Sequence, residues 1–185
     1  MPWTRAARLG EHDGVLAELI ADCKFRRDRT AARVLGCHLG RRLLRLPGFQ
    51  SDAWFVPVAT SRTHQIQRGI DHTRELARAA ARAAGVRSAP LLKRRHGPSQ
   101  LEVPPSRRAA NVRGVFRVPA RRARAGMPSL VILIDDVRTS GATLRAASRV
   151  LLEAALQRGA RPELWVASVS VAIDPERRAG SPEAS

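Results

Sequence analysis

The stretch Val131-Ile132-Leu133-Ile134-Asp135-Asp136-Val137-Arg138-Thr139-Ser140-Gly141-Ala142-Thr143-Leu144 constrains this chain more than any other. With Leu130 it opens on five consecutive large apolar residues, the mark of a strand buried on both faces. Such a strand needs helices on both sides of a largely parallel sheet, so an α/β architecture follows. The apolar run ends on two carboxylates, and a short loop of small hydroxyl residues and glycine leads into a helix over 142–158. Open α/β sheets bind ligands at the carboxyl ends of their strands. The N–H groups of such a loop, with the positive end of the helix, suit an anion. Gly141 allows close approach, and Thr139, Ser140 and Thr143 add hydroxyls. Carboxylates repel phosphate but suit sugar hydroxyls or a metal, so the combination describes a phosphorylated sugar.

Competing readings of the segment are an ATPase magnesium strand, a phosphoacceptor receiver domain and a capped helix start after a core strand. The first needs a Gly-x-x-x-x-Gly-Lys-Ser/Thr loop, and neither Lys24 nor Lys93 lies in one. The second needs a Lys on a later strand, and no Lys follows residue 93. The third leaves two carboxylates at a buried strand end with nothing to offset their desolvation.

Elsewhere the periodicity predicts helices over 14–23, 30–46 and from Ile70 to Ala84, with Pro47-Gly48 stopping the second and Gly85 capping the third. Ala53-Trp54-Phe55-Val56 reads as a strand running into Pro57, Leu91-Leu92 as a short strand, and Leu164 to Ile173 as a long one. Residues 60–68 read as a loop, 94–113 as a functional flap and 119–128 as an exposed connection. Trp54 and Trp165 read as packing residues. The expected organisation is an N-terminal helical hood over 1–50, a core over 51–173 and a flexible tail over 174–185.

The 185 residues fit one domain, and at 44% hydrophobic they can bury a core. No run approaches a membrane span, and the first residues lack the apolar stretch of a signal peptide, so a cytoplasmic location is expected. The net charge of +17 invites a polyanion partner, yet 31 of the 33 basic residues are Arg and are spread along the chain. An Arg- and Ala-rich, Lys-poor composition is what a GC-rich genome writes onto any solvated surface. Affinity for nucleic acid or for phosphorylated small molecules stays open. Cys23 and Cys37 are too few for a zinc site and read as buried free thiols in a reducing compartment.

The acid-pair segment resembles the 5-phosphoribosyl-1-pyrophosphate (PRPP) motif of type I phosphoribosyltransferases. Further blocks resemble the ComF/GntX-like family within that group. Lys24-Phe25-Arg26 is similar to its Lys-Phe/Tyr-Arg stretch. Val56-Pro57-Val58, with Arg62 and Arg68-Gly69, is similar to its pyrophosphate-loop region. Gln100, Arg108, Asn111-Val112 and Gly114-Val115-Phe116 fall at the spacing of its flexible-loop signature. The similarity runs from about residue 14 to about residue 172. The family's usual cysteine-rich zinc module is absent, so no zinc is expected. Ile70-Asp71-His72 stands where the family usually has Phe-Asn-Gln, and Ser140 replaces the usual Thr.

The resemblance implies a type I phosphoribosyltransferase-like fold and a pentosyl (glycosyl) transfer from PRPP carried with Mg2+. Asp135 and Asp136 would accept hydrogen bonds from the ribose 2′ and 3′ hydroxyls, with the magnesium near them. Arg138, Thr139, Ser140, Gly141, Ala142 and Thr143 would wrap the 5-phosphate. Loss of pyrophosphate leaves an oxocarbenium-like centre at C1, and Arg62, Arg68 and Arg108 would stabilise the departing charge. Lys24 suits a helix C-terminus, while His64 and His72 flank the first loop as acid–base candidates or polar surface residues. Asn111 suits substrate contact or a turn cap. The family's association with DNA uptake (competence) implies a second reading, a non-catalytic accessory protein binding single-stranded DNA or another protein. Pairing of two copies is also open, and no membrane contact is expected.

Overall fold

The computed structural model describes residues 1–26, 28–60, 69–94, 114–120 and 126–172. In chain order these form β1 (Arg5–Glu11), α1 (Gly14–Phe25), α2 (Arg29–Leu44), β2 (Trp54–Pro57), α3 (His72–Ala84) and β3 (Arg87–Ser88). There follow β4 (Lys93–Arg94), β5 (Phe116–Arg117), β6 (Leu130–Arg138), α4 (Ala142–Leu156) and β7 (Glu163–Val171). Five strands make one sheet in the order β1-β7-β6-β2-β3, every neighbour parallel. β4 and β5 form a separate antiparallel pair.

The apolar run of β6 occupies the middle of the sheet and feeds both faces by strand alternation. Leu130, Ile132 and Ile134 enter one buried cluster with Phe55, Trp165, Ala167 and Val169, covered by residues of α1, α2 and α3. Val131 and Leu133 enter the other with Val56, Val58, Leu164 and Val166, covered by Leu144, Ala147 and Leu151 of α4 and by Leu91, Leu92 and Phe116. The result is a three-layer α/β/α arrangement, as the doubly buried strand requires.

Local signals set the helix ends. The Asp28 side chain accepts the N–H groups of Thr30 and Ala31 at the start of α2, and Asp71 accepts that of Arg74 at the start of α3. Gly85 closes α3 in the left-handed conformation (φ 70°), as expected from its place after the last periodic residue. Within α2, Gly36 and Gly40 face α3 so closely that a Cβ on Gly36 would stand 2.5 Å from the Leu76 carbonyl oxygen and 2.7 Å from the Ala79 Cβ.

Three expectations need correction. Residues 1–50 are not all helical, because β1 joins the sheet beside the nine-residue β7. Its sequence, Arg-Ala-Ala-Arg-Leu-Gly-Glu, holds one large apolar residue, and pairing along a long neighbour overrides weak strand propensity. The helices α1 and α2 also share a buried cluster with the sheet rather than forming a layer apart. Leu91 and Leu92 are buried without being a strand, and the short strand falls just after them at Lys93–Arg94. Residues 60–68 and 94–113 lie outside the described residues except for Thr60 and Arg94, as do Ile173 and the tail over 174–185. No helix among the described residues is long and apolar enough to cross a membrane.

Candidate functional site

The strand order places a topological switch point between β2 and β6. From β2 the chain crosses through α3 to β3 on one side, and from β6 it crosses through α4 to β7 on the other. The two crossover helices lie on opposite faces, so a crevice opens above the carboxyl ends of β2 and β6. β2 pairs with β6 only as far as Pro57 and Ile134, and the Val58 N–H then donates to the Ile134 carbonyl at 2.9 Å. Asp135 and Asp136 are the next residues of β6, past the end of its neighbour.

Past Ile134 the strict alternation lapses, since Val137 packs against the same cluster as Ile132 and Ile134. Asp136 lies on the face covered by α1–α3. There its Oδ2 meets Lys24 Nζ at 2.8 Å and His72 Nε2 at 2.9 Å, while its Oδ1 accepts the Val137 N–H at 2.7 Å. Lys24 comes from the last turn of α1 and His72 is the first residue of α3. Burial pushes the Asp136 carboxyl up, but the His72 hydrogen bond and the Lys24 charge outweigh it and hold the group well below the usual carboxylate range. An ionised Asp136 only accepts, so His72 Nε2 carries the proton.

The Asp135 carboxyl lies in contact with that of Asp136. Its Oδ1 accepts the Asp136 N–H at 3.0 Å, and it has no ion pair among the described residues. Burial and the charge of Asp136 raise its carboxyl well above the ordinary range. Among the described residues Lys24 and the half-buried guanidinium of Arg94, next to Phe116, are close enough to act on it.

Beyond β6 the loop turns at Gly141 (φ 72°), the N-cap of α4. Gly141 offers no side-chain cap, the first turn of α4 has no acidic residue, and the Ser140 hydroxyl accepts the Ala142 N–H at 3.4 Å. The positive end of the helix is left without a fixed negative partner. Arg138, Thr139, Ser140 and Gly141 line a cleft of about 450 Å³ together with Arg8, Arg145 and Trp3. Three guanidinium groups from β1, β6 and α4 therefore surround one loop.

Of the expected site residues, the structure assembles Asp135, Asp136 and the loop Arg138–Thr143 at one end of the sheet. Arg62, Arg68 and Arg108 lie outside the described residues, as do His64, Gln100 and Asn111. His72 is a correction. The sequence offers it as an acid–base candidate or a polar surface residue, and it is 4% exposed, because α3 begins against the sheet and buries its first residue. Lys24 does more than face a helix dipole, since its ammonium reaches across to β6. Arg8, Arg145 and Trp3 were not anticipated. Arg145 sits one helical turn past Gly141, a spacing the sequence displays, whereas Arg8 depends on a strand that composition hid.

Cys23 is buried, and burial with the neighbouring Asp28 charge pushes its thiol up to about 11, an unreactive group. Cys37 is only half-buried. Trp165 is a core residue whose indole N–H donates to Glu163, and Trp54 is half-buried beneath the Arg87 guanidinium. Among the described residues no cluster of three His, Cys, Asp or Glu side chains could hold a metal ion.

No protein-family model matches the chain, and a search of curated proteins finds no match.

Proposed function

We propose that this chain is a phosphoribosyltransferase-like protein of the ComF/GntX type, binding Mg–PRPP or another phosphorylated ribose at the carboxyl ends of β2 and β6. The observation that carries the reading is a strand end bearing carboxylates beside an uncapped, glycine-turned helix start ringed by Arg8, Arg138 and Arg145. Those two chemistries suit the two ends of one ligand. Backbone N–H groups and guanidinium groups attract the 5-phosphate, and an uncompensated carboxyl gains from ribose hydroxyl donors.

Magnesium belongs to the substrate in this reading. The described residues fit that role, since Asp136 is already engaged by Lys24 and His72 and Asp135 alone offers too few ligands for an all-protein magnesium site. Transfer would break the bond from C1 to pyrophosphate and form one from C1 to an acceptor. The protein's part is to orient the ribose and hold its phosphate while charge develops on the leaving group.

The test is calorimetric titration of Mg–PRPP into the wild type and Asp135→Asn. Saturable binding by the wild type, weakened at least tenfold by the substitution, supports the reading. Absence of binding at millimolar ligand overturns it and turns the +17 charge toward single-stranded DNA or a protein partner.

A further inference from the structure

We propose that the cleft beyond the phosphate loop is a nucleotide subsite, in which the ligand's ribose 5-phosphate continues through a second phosphate to a base stacked on Trp3. The inference deepens the phosphoribosyl reading and rests on it for the ribose, while the subsite stands on residues of its own.

The loop after β6 faces two ways. On one side is the crevice above β2 and β6. On the other is the cleft of about 450 Å³, whose walls come from β1 and the residues before it, β6, β7 and α4, with none from β2 or α3. Ribose 5-phosphate placed with its sugar in the crevice would end at the loop. Clefts of roughly 300–1,000 Å³ take ligands far larger than one phosphate group. The space on the β7 side therefore suits whatever the phosphate carries beyond the ribose.

The lining says what that is. Arg8, Arg138 and Arg145 are its charged side chains, and no Asp or Glu joins them. Among the described residues Arg138 and Arg145 make no ion pair, and Arg8 makes one with Glu11 at 4.0 Å, both side chains being 46% exposed. So long and exposed a pair yields readily to an anion. Arg138 and Arg145 stand at the two ends of the loop, where the first phosphate belongs. Arg8 comes from a different wall, on β1, and its guanidinium is left for a second phosphate.

Trp3 supplies the apolar end. Its indole is partly buried against the cluster beneath α4, and its Cη2 lies 3.9 Å from the point a Cβ on Gly141 would occupy. Arg145 Nη1 stands 3.2 Å from the same point, so an indole and a guanidinium flank the residue where the chain turns into α4. Trp54 and Trp165 are each covered by an arginine, Arg87 and Arg5, whereas Trp3 has no ring or cation partner among the described residues. An uncovered indole beside phosphate-binding groups is a platform for a base. Ribose at the strand ends, one phosphate at the loop, a second at Arg8 and a base on Trp3 follow the order of a nucleoside diphosphate joined to ribose.

Calorimetry with ribose 5-phosphate, ADP-ribose and ADP on the wild type, Trp3→Ala, Trp3→Phe and Arg8→Ala tests this. The wild type should bind ADP-ribose about tenfold or more tightly than ribose 5-phosphate. Trp3→Ala and Arg8→Ala should each remove most of that gain and leave ribose 5-phosphate affinity within about threefold of the wild type. Trp3→Phe keeps a ring face and should retain most of the gain. Arg8 is an exposed residue of an edge strand, so its variant reads the subsite even if Trp3→Ala fails to fold.

Equal affinity for ADP-ribose and ribose 5-phosphate would overturn the inference, as would a gain that survives Trp3→Ala and Arg8→Ala. A thymidine oligonucleotide that binds through these two residues, with no binding of ADP-ribose or ADP, would overturn it in favour of single-stranded DNA. If the wild type binds neither Mg–PRPP nor ribose 5-phosphate, the phosphoribosyl reading falls and ADP decides the subsite alone. Binding of ADP that Trp3→Ala or Arg8→Ala weakens about tenfold sustains it, and no binding at millimolar ADP overturns it.

Discussion

Gly40→Ala should destabilise this protein, although alanine is the better helix former. A methyl group at Gly40 would run into the Ala80 carbonyl oxygen and stand 2.8 Å and 2.9 Å from the Ala80 carbonyl carbon and Cα. These are backbone atoms of α3, so no rotamer change relieves the contact. Carbon atoms pack best at about 3.5–4.0 Å, so α2 and α3 must separate by roughly 0.7 Å or more at this point. Overpacking of this kind costs about 1–3 kcal/mol, and the gain in helix propensity returns about 1 kcal/mol. With the methyl driven into backbone, the cost falls toward the upper end, and a net loss of up to about 2 kcal/mol corresponds to a fall of up to roughly 8 °C in Tm for a chain of this size.

The consequence reaches the site, because α3 begins with His72 and His72 holds Asp136. Differential scanning calorimetry of the wild type, Gly36→Ala, Gly40→Ala and the double variant reads the effect. The double should cost less than the sum, since the first methyl already parts the helices. A rise in Tm for Gly40→Ala would show that propensity wins, and the close approach of α2 and α3 would then be wrong.

Other outcomes follow from the same geometry. Asp136 is held below its usual value of 3.8, so its contribution to stability is fully present above pH 3.8 and is lost as pH falls below it. Asp135 runs the other way, its ionisation costing stability as pH rises above 3.8. Melting temperatures across about pH 2.5 to 8 should therefore show a shallower acid limb for Asp136→Asn and a higher neutral plateau for Asp135→Asn. Asp28→Ala removes the acceptor for two N–H groups of α2 and should cost about 1 kcal/mol in urea unfolding, with the m-value unchanged. Arg145→Ala should weaken ribose 5-phosphate binding about tenfold by calorimetry, with a smaller salt dependence than the wild type. Unchanged affinity would remove Arg145 from the phosphate cleft.

The sheet was legible where side chains are large. Leu130–Ile134 announced a doubly covered central strand, and apolar spacing placed helices over 14–23, 30–46 and Ile70 to Ala84, within a few residues of the observed 14–25, 29–44 and 72–84. β1 was not legible, because an edge strand that packs one face needs few large apolar residues, and its partner β7 lies about 160 residues away in sequence. The phosphate loop could be read from Thr139, Ser140 and Gly141. The burial of His72 could not, because a polar residue at a helix start is ordinarily solvated and only tertiary packing of α3 decides otherwise. Arg8 was hidden twice, by the unread strand and by an Arg-rich composition that makes any one guanidinium uninformative.

A strand buried on both faces sends odd and even residues into different clusters, and Val131 and Leu133 part from Ile132 and Ile134 in that way. The rule lapses at the site, because Val137 packs with Ile132 and Ile134. What separates the two acids is therefore their partners rather than their parity. Asp136 holds an ammonium and an imidazole, whereas Asp135 is buried beside the charge of Asp136, so their proton affinities are pushed apart.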